Sequence, residues 1–248
     1  MSFYATDKWL GRSLDLYGEW SEGEADLLRA VLKPDDCVVE AGSNLGALTL
    51  PMAEIVREGA GKVWAFEPQP EIFDMLLRNL SAYPHSVHPS RRVLGKANDV
   101  RMLARVDYSK GTCNPGGFEA LEDCETGVPT PATTIDSLNF DRLDLIKADV
   151  EGMELDVLAG AQRTILHYRP LLYVEDDREE KRAALRAWIL EQGYRIYSHQ
   201  PLLYNPGNFN GYKVNVFPNI VSAMLFCVPV ERGPEFRNVT NQLERLRA

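Results

Sequence analysis

The chain has 248 residues, is 45% hydrophobic and 25% charged, and carries a formal net charge of −9. That length suits one α/β domain with additions or two small domains around a large core, and the acidic balance argues against a dedicated nucleic-acid binder, which presents a basic face. The four cysteines, Cys37, Cys113, Cys124 and Cys227, include no C-x-x-C pair and suggest neither a zinc site nor a disulfide framework.

Residues 1–33 form a polar, aromatic lead-in that we expect to act as an N-terminal cap. Within it, Ser21-Glu22-Gly23-Glu24 ahead of 25–32 predicts a capped amphipathic helix. The turn Lys33-Pro34-Asp35-Asp36 delivers the chain into a first strand, Cys37-Val38-Val39, which ends at Glu40. Gly42 and Gly46 follow, then a helix over 45–58 in which Pro51 removes one ladder bond and introduces a kink. A second strand over 62–66 ends at Glu67-Pro68, and a helix over 70–81 comes next. Pro84 and Pro89 interrupt the next region, leaving strands at 92–94 and 100–106, and 107–132 reads as a long Gly/Pro/Thr-rich loop covering a site. A strand over 143–148 runs into Asp149-Val150-Glu151-Gly152, followed by a helix over 153–166. A strand over 170–174 ends at Glu175-Asp176-Asp177, followed by a helix over 178–192 stopped by Gly193. A strand over 194–197, a site-covering excursion over 198–220, a last strand over 221–228 and a tail over 231–248 complete the chain.

The alternation of strand and helix over 34–230 predicts a mostly parallel sheet covered on both faces. Ligands of such sheets lie beyond the carboxyl ends of the strands. Glu40, Glu67, Asp149 and Glu175 all fall at such ends, and this coincidence is worth more than any one motif. The turn after Glu40 reads E-x-G-x-x-x-G. It can aim backbone N–H groups at a ligand, and Ser43-Asn44 replaces the glycine that admits a pyrophosphate. The pattern suits a nucleoside ligand without a pyrophosphate, or equally a plain strand–helix turn. Glu67, 21 positions after Gly46, stands where an acidic residue accepts ribose hydroxyls; the plain alternative is a helix-capping or surface Glu.

The stretches VVEAGSNLGALTL (38–50), VWAFEPQPEIFDMLLRNL (63–80), TIDSL (134–138), DLIKADVEGMELDVLAGA (144–161) and PLLYVE (170–175), with Asn114-Pro115-Gly116-Gly117, resemble the FkbM-like S-adenosylmethionine-dependent methyltransferases. Pro51, the region 84–106 and the segment after Tyr197 depart from the pattern. The resemblance implies a Rossmann-like class I methyltransferase fold of seven strands, the last antiparallel. It implies that Glu40, Gly42, Ser43, Asn44 and Gly46 line the methionine side of S-adenosyl-L-methionine, and that Glu67 holds the ribose. Pro68 and Asn98-Asp99 would border the adenine, and Asp149 would face the sulfonium and the acceptor.

Methyl transfer to a hydroxyl is an in-line displacement that also needs a proton removed. The candidate bases are Asp149, Glu151, Glu175 and His199. Lys147 is read as pointing to the opposite face from Asp149, as a structural or partner charge. Asp149, Glu151 and Glu175, with Asp176 and Asp177, form a candidate divalent-metal set suited to Mg²⁺; the alternative is that Glu151 and Glu154 serve the dipole of the following helix. His199 is either a surface loop residue or a titratable group in a lid. Tyr17, Trp20, Tyr204 and Tyr212 either stack on an acceptor or pack with one another. The expected activity is O-methylation of a sugar, glycan or natural-product hydroxyl. The competing readings are an NAD-type oxidoreductase and a catalytically silent interaction module. No signal peptide and no apolar run long enough to span a bilayer are evident, so a cytoplasmic protein without nucleic-acid or membrane partners is expected. The aromatic lead-in packs over the cofactor or against another subunit of a homo-oligomer.

Overall fold

The computed structural model describes residues 1–104 and 127–246. The expectations for Asn114–Gly117, for Cys113 and Cys124, and for most of the 107–132 loop lie outside the described residues.

Two helices lead in, α1 (Leu10–Tyr17) and α2 (Glu22–Val31). The predicted capping box does not form. Ser21 stands at the N-cap with a left-handed backbone and no side-chain cap bond, and the Glu24 carboxylate turns inward instead. The chain then alternates through β1 (Cys37–Ala41), α3 (Thr49–Val56), β2 (Lys62–Phe66) and α4 (Pro70–Asn79). Helix α3 begins later than the sequence pattern predicts. Pro51 therefore sits in its first turn, where an N–H has no intrahelical partner and its loss breaks no ladder bond.

Four short strands follow: β3 (Val87–Ser90), β4 (Val93–Leu94), β5 (Val100–Leu103) and β6 (Val128–Thr133). Two of these were unforeseen because of their prolines. Strand β3 carries Pro89 and lies at the sheet edge, where a missing donor is tolerated. Strand β6 occupies the end of the stretch read as loop. Its Ala132 donates to Asp99 O, so Pro129 and Pro131, at alternate positions, turn their missing N–H groups away from β5. The chain continues through β7 (Leu145–Ala148), α5 (Glu154–Ala159), α6 (Gln162–Tyr168), β8 (Leu171–Glu175), α7 (Glu179–Glu191), β9 (Tyr194–His199) and β10 (Met224–Pro229). The stretch read as a tail ends in α8 (Arg237–Thr240) and β11 (Glu244–Leu246).

Among the described residues the main sheet has eight strands in the order β11-β9-β10-β8-β7-β1-β2-β3, and β4-β6-β5 make a separate small sheet. Pairings from β3 to β8 are parallel, whereas β10 runs antiparallel to both its neighbours and β11 antiparallel to β9. The Rossmann-like α/β expectation holds, with the sheet mixed and enlarged by one strand. Period-two alternation splits the core. Val38, Val63 and Leu145 meet Leu28 of α2, Met52 of α3 and Leu76 of α4 on one face. Val39, Ile146 and Leu172 meet Val157, Ile165 and Ile189 of α5–α7 on the other. Among the described residues no helix is long and apolar enough to cross a membrane.

Candidate functional site

The site begins where β1 and β7 lie side by side at the centre of the sheet. Gly42 leaves β1 at φ +80, and a Cβ there would stand 1.8 Å from Asp149 O. Only glycine lets the first turn close against the β7 end. Gly42 and Ser43 both donate their N–H groups to Phe66 O (2.9 and 3.0 Å), and Asn44 N–H goes to Glu67 Oε2 (3.0 Å). These amides bind the turn to the end of β2 rather than pointing at open space, which corrects the expectation of a free amide cradle. Gly46 serves packing: a side chain there would press on Leu76 Cδ1 at 2.9 Å.

A cavity of about 400 Å³ opens above these strand ends. Glu40, Gly42, Ser43, Asn44 and Glu67 form one wall, and Asp149, Glu151, Glu175 and Asp177 lie across it. The remaining wall comes from Trp9, Trp20, Glu24, Leu203 and Ser222, in segments far apart in the chain. A narrower cavity of about 60 Å³ shares Gly42, Glu67, Asp149 and Glu151 with the first and adds Phe66, Pro68, Gln69, Leu94 and Met153. Gln69 is 6% exposed, and its Nε2 has no hydrogen-bond partner among the described residues.

Electrostatics differ across the site. Glu67 accepts Gln69 N–H at Oε1 (2.9 Å) as well as Asn44 N–H at Oε2, and burial pushes its pKa up to about 7. Glu40 is buried, accepts Thr49 Oγ1–H, and lies 3.8 Å from Lys147 Nζ; burial raises its pKa too. Lys147 is 1% exposed, with Nζ 3.3 Å from Asp149 Oδ2. Burial alone would lower its pKa, but Asp149, Glu40 and Glu24 more than offset that and hold it charged. Burial and the Asp149 charge push Glu151 to about 7, against the pull of Arg178, and push Glu175 to about 11.

Three sequence expectations are corrected here. Lys147 shares a face with Asp149, because strand residues two apart point the same way; it forms the charged floor of the cavity. Asn98 lines neither cavity; its Oδ1 accepts Thr133 Oγ1–H, Thr134 N–H and Ser137 Oγ–H, tying β6 to the following turn. His199 also lines neither; it closes β9 with Nδ1 2.8 Å from Tyr173 OH, and burial lowers its pKa to about 4.

The metal set changes as well. Glu151, Glu175 and Asp177 bring carboxylate oxygens within 4.8 Å of one another. Arg178 donates to Glu151 and lies 3.4 Å from Asp177, so a resident cation already serves two of the three. Asp149 faces Lys147 instead, and Asp176 turns to Arg182 (3.2 Å) and Arg186. The carboxylates therefore fit an internal ion-pair network better than a Mg²⁺ site.

The turn after β7 is conformationally constrained. Glu151 and Gly152 both have positive φ (56° and 96°), and Glu154 Oε1 accepts the N–H groups of Val150 and Gly152 (3.0 and 3.1 Å). Glu154 thus shapes the turn, while Glu151 faces the cavity. Tyr17, Tyr204, Tyr212 and Phe217 pack on one another, leaving Trp9 and Trp20 as the aromatic side chains on the cavity wall. Glu24 was absent from the predicted site, although a signal was present. It lies four residues before Leu28 and seven before Val31, on the buried stripe of α2.

The profile of the methyltransferase FkbM domain matches residues 40–196, more than half of the chain. A hexuronic acid methyltransferase of Haloferax volcanii, AglP, is 30% identical over 153 residues, which are 56% of this chain and 56% of that protein. The chain therefore aligns with little more than half the length of that curated relative. Among solved structures, the methyltransferase FkbM of Methylobacillus flagellatus aligns with a TM-score of 0.55 at 18% identity, covering 79% of this chain and 44% of that one. An S-adenosylmethionine-dependent O-methyltransferase of Thermotoga maritima aligns with a TM-score of 0.50 at 16% identity, covering 85% and 64%. At these identities the solved structures speak to the fold alone.

Proposed function

The chain belongs to the FkbM methyltransferase family, and from that premise we propose that it is an S-adenosylmethionine-dependent O-methyltransferase acting on a hydroxyl of a sugar, glycan or related small molecule. The observation that carries the cofactor half is the pairing of Glu67 with Gln69 at the end of β2. Each is 6% exposed, and both line the narrow cavity. The unpartnered Gln69 Nε2 suits a purine ring acceptor, and buried donors are seldom left unsatisfied. Glu67 is fixed by two backbone amides and keeps lone pairs for ribose hydroxyls. Pro68, Leu94 and Met153 supply apolar walls for the base, and Glu40, Ser43 and Asn44 border the methionine part.

S-adenosylmethionine supplies an electrophilic methyl group on a sulfonium. The protein's part is to align the acceptor, exclude water and take up a proton. Asp149 lines both cavities and is oriented by Lys147, which suits it to face the positive centre. We assign proton removal to Glu151, whose pKa of about 7 lies near neutral pH. Glu175, at about 11, stays protonated there and acts as a donor. The segments 1–33 and 198–220 would form the acceptor wall of a catalytic unit spanning 34–230. The name of the Haloferax relative supports a sugar acceptor.

Calorimetry with S-adenosylmethionine and S-adenosylhomocysteine tests the cofactor half directly. Saturable heat is expected at micromolar ligand, and silence at millimolar ligand would overturn the proposal. Glu151→Gln should lower turnover about a hundredfold while leaving that heat unchanged.

A further inference from the structure

Building on the methyltransferase reading, we propose that the acceptor is cationic: it carries a protonated amine beside the reacting hydroxyl, as an amino sugar does, and acceptors with a carboxylate there are excluded. Carboxylates outnumber cations on the wall of the larger cavity. Among the described residues its cations are Lys147 and Arg178. Both are already committed, Lys147 to Asp149 and Glu40, and Arg178 to Glu151 and Asp177. Neither is left to receive an anionic acceptor, and a carboxylate entering beside Asp149 and Asp177 would be repelled at short range.

An unpartnered acceptor gives the second, independent observation. Glu24 is 2% exposed, lines the cavity, and its Oε2 has no hydrogen-bond partner among the described residues; the hydroxyls of Ser21, Ser222 and Tyr173 and the Lys147 ammonium lie around the carboxylate. Glu24 thus brings a buried acceptor oxygen from α2 to the cavity. The cofactor brings a single amine, so it cannot serve both Glu24 and its own site around Glu40. An ammonium group offers three N–H donors and the missing positive charge. Trp9 and Trp20 on the same wall add aromatic faces, which attract a cation.

The test uses the full chain and three simple probes that share a ring and differ in charge: glucosamine, glucose and glucuronate. Binding is read by calorimetry and ligand-observed NMR, with and without saturating S-adenosylhomocysteine, and is repeated with magnesium chloride as a fourth probe. Glucosamine should bind at least tenfold more tightly than glucose, with glucuronate weakest. Glu24→Gln, checked for folding by its circular dichroism and melting temperature, should remove most of that preference, whereas Glu175→Gln, at a group already neutral, should leave it in place. The inference is overturned if glucosamine has no advantage, if glucuronate binds as well, if no probe binds, or if magnesium alone takes the site. Absence of heat with S-adenosylhomocysteine would instead overturn the methyltransferase reading, and the ranking in its absence would still be read.

Discussion

The two halves of the cavity are built in opposite ways. The cofactor half sits on adjacent parallel strands, where β1, β2 and β7 bring Gly42, Glu67 and Asp149 together through the sheet ladder itself. The other half is assembled from chain segments about 190 residues apart. Asn210 donates its N–H to Tyr17 O (3.0 Å), Val216 donates to Tyr17 Oη (2.8 Å), and Glu19 accepts from Asn205 and from Phe209 N–H (both 2.9 Å). A defect in the first half strains the fold's centre, whereas a defect in the second loosens a wall. Catalysis and specificity can therefore be damaged separately.

The sharpest way to break this contrast is Gly42→Ala. Its methyl would fall 1.8 Å from Asp149 O at a residue with φ +80, so β1 and β7 must separate. We expect a loss of more than about 3 kcal/mol of stability and no detectable S-adenosylhomocysteine binding, measured by urea denaturation and calorimetry. A stable variant that binds normally would show that the strand ends are not the rigid half. Next in size, Glu67→Ala removes a carboxylate that orders Asn44 and Gln69 as well as the proposed ribose contact. Cofactor affinity should fall about a hundredfold, or about 2.7 kcal/mol, without a matching change in the acceptor's apparent affinity.

The same contrast explains what could be read from the sequence. Strand-end carboxylates and the glycine turn were legible because period-two patterning fixes where each strand stops and which element follows. Lys147 differs from the sequence expectation because residues two apart on a strand share a face, which places it beside Asp149. A lysine inside the apolar run Leu145-Ile146-Lys147-Ala148 marks a charge that must find partners inside. The second half was not legible. Glu24 looked like a capping residue because local chemistry gives that answer, and its true partners come from another face of the fold. Strand β11 and the ties from Tyr17 to 214–216 depend on contacts that no local pattern encodes.

Tyr17→Phe probes the assembled half with a smaller effect. Its hydroxyl donates to Val214 O (3.1 Å) and accepts Val216 N–H, in a side chain with no exposed surface. Losing it leaves the part-buried Val216 N–H and Val214 carbonyl without this partner, which costs about 1 kcal/mol of stability. Steady-state kinetics should show a raised acceptor KM with kcat and cofactor affinity little changed. Equal losses in both substrates would mean that the two halves are mechanically one.

The smallest effect tests whether the rigid half is also the titrating half. Glu67 holds its proton up to about pH 7 in the folded protein, whereas an unfolded chain releases it near the ordinary carboxylate pKa of about 4.3. The folded state therefore binds more protons between those values, and this group's contribution to stability falls as pH rises through that window. Ligand binding runs with the opposite sign, because ribose hydroxyls and the two backbone amides all favour the ionised carboxylate. Raising the pH from 6 to 8 should strengthen S-adenosylhomocysteine binding about tenfold, with proton release detectable by calorimetry in buffers of different ionisation enthalpy. Glu151 titrates in the same range, since burial and Asp149 hold it near 7, so the slope alone does not identify the group. Glu67→Gln does: it keeps the shape and one of the two backbone hydrogen bonds while removing the titration, so it should weaken binding at every pH and flatten the profile. A slope that survives in Glu67→Gln and disappears in Glu151→Gln would move the pH control across the cavity, to the carboxylate beside Arg178.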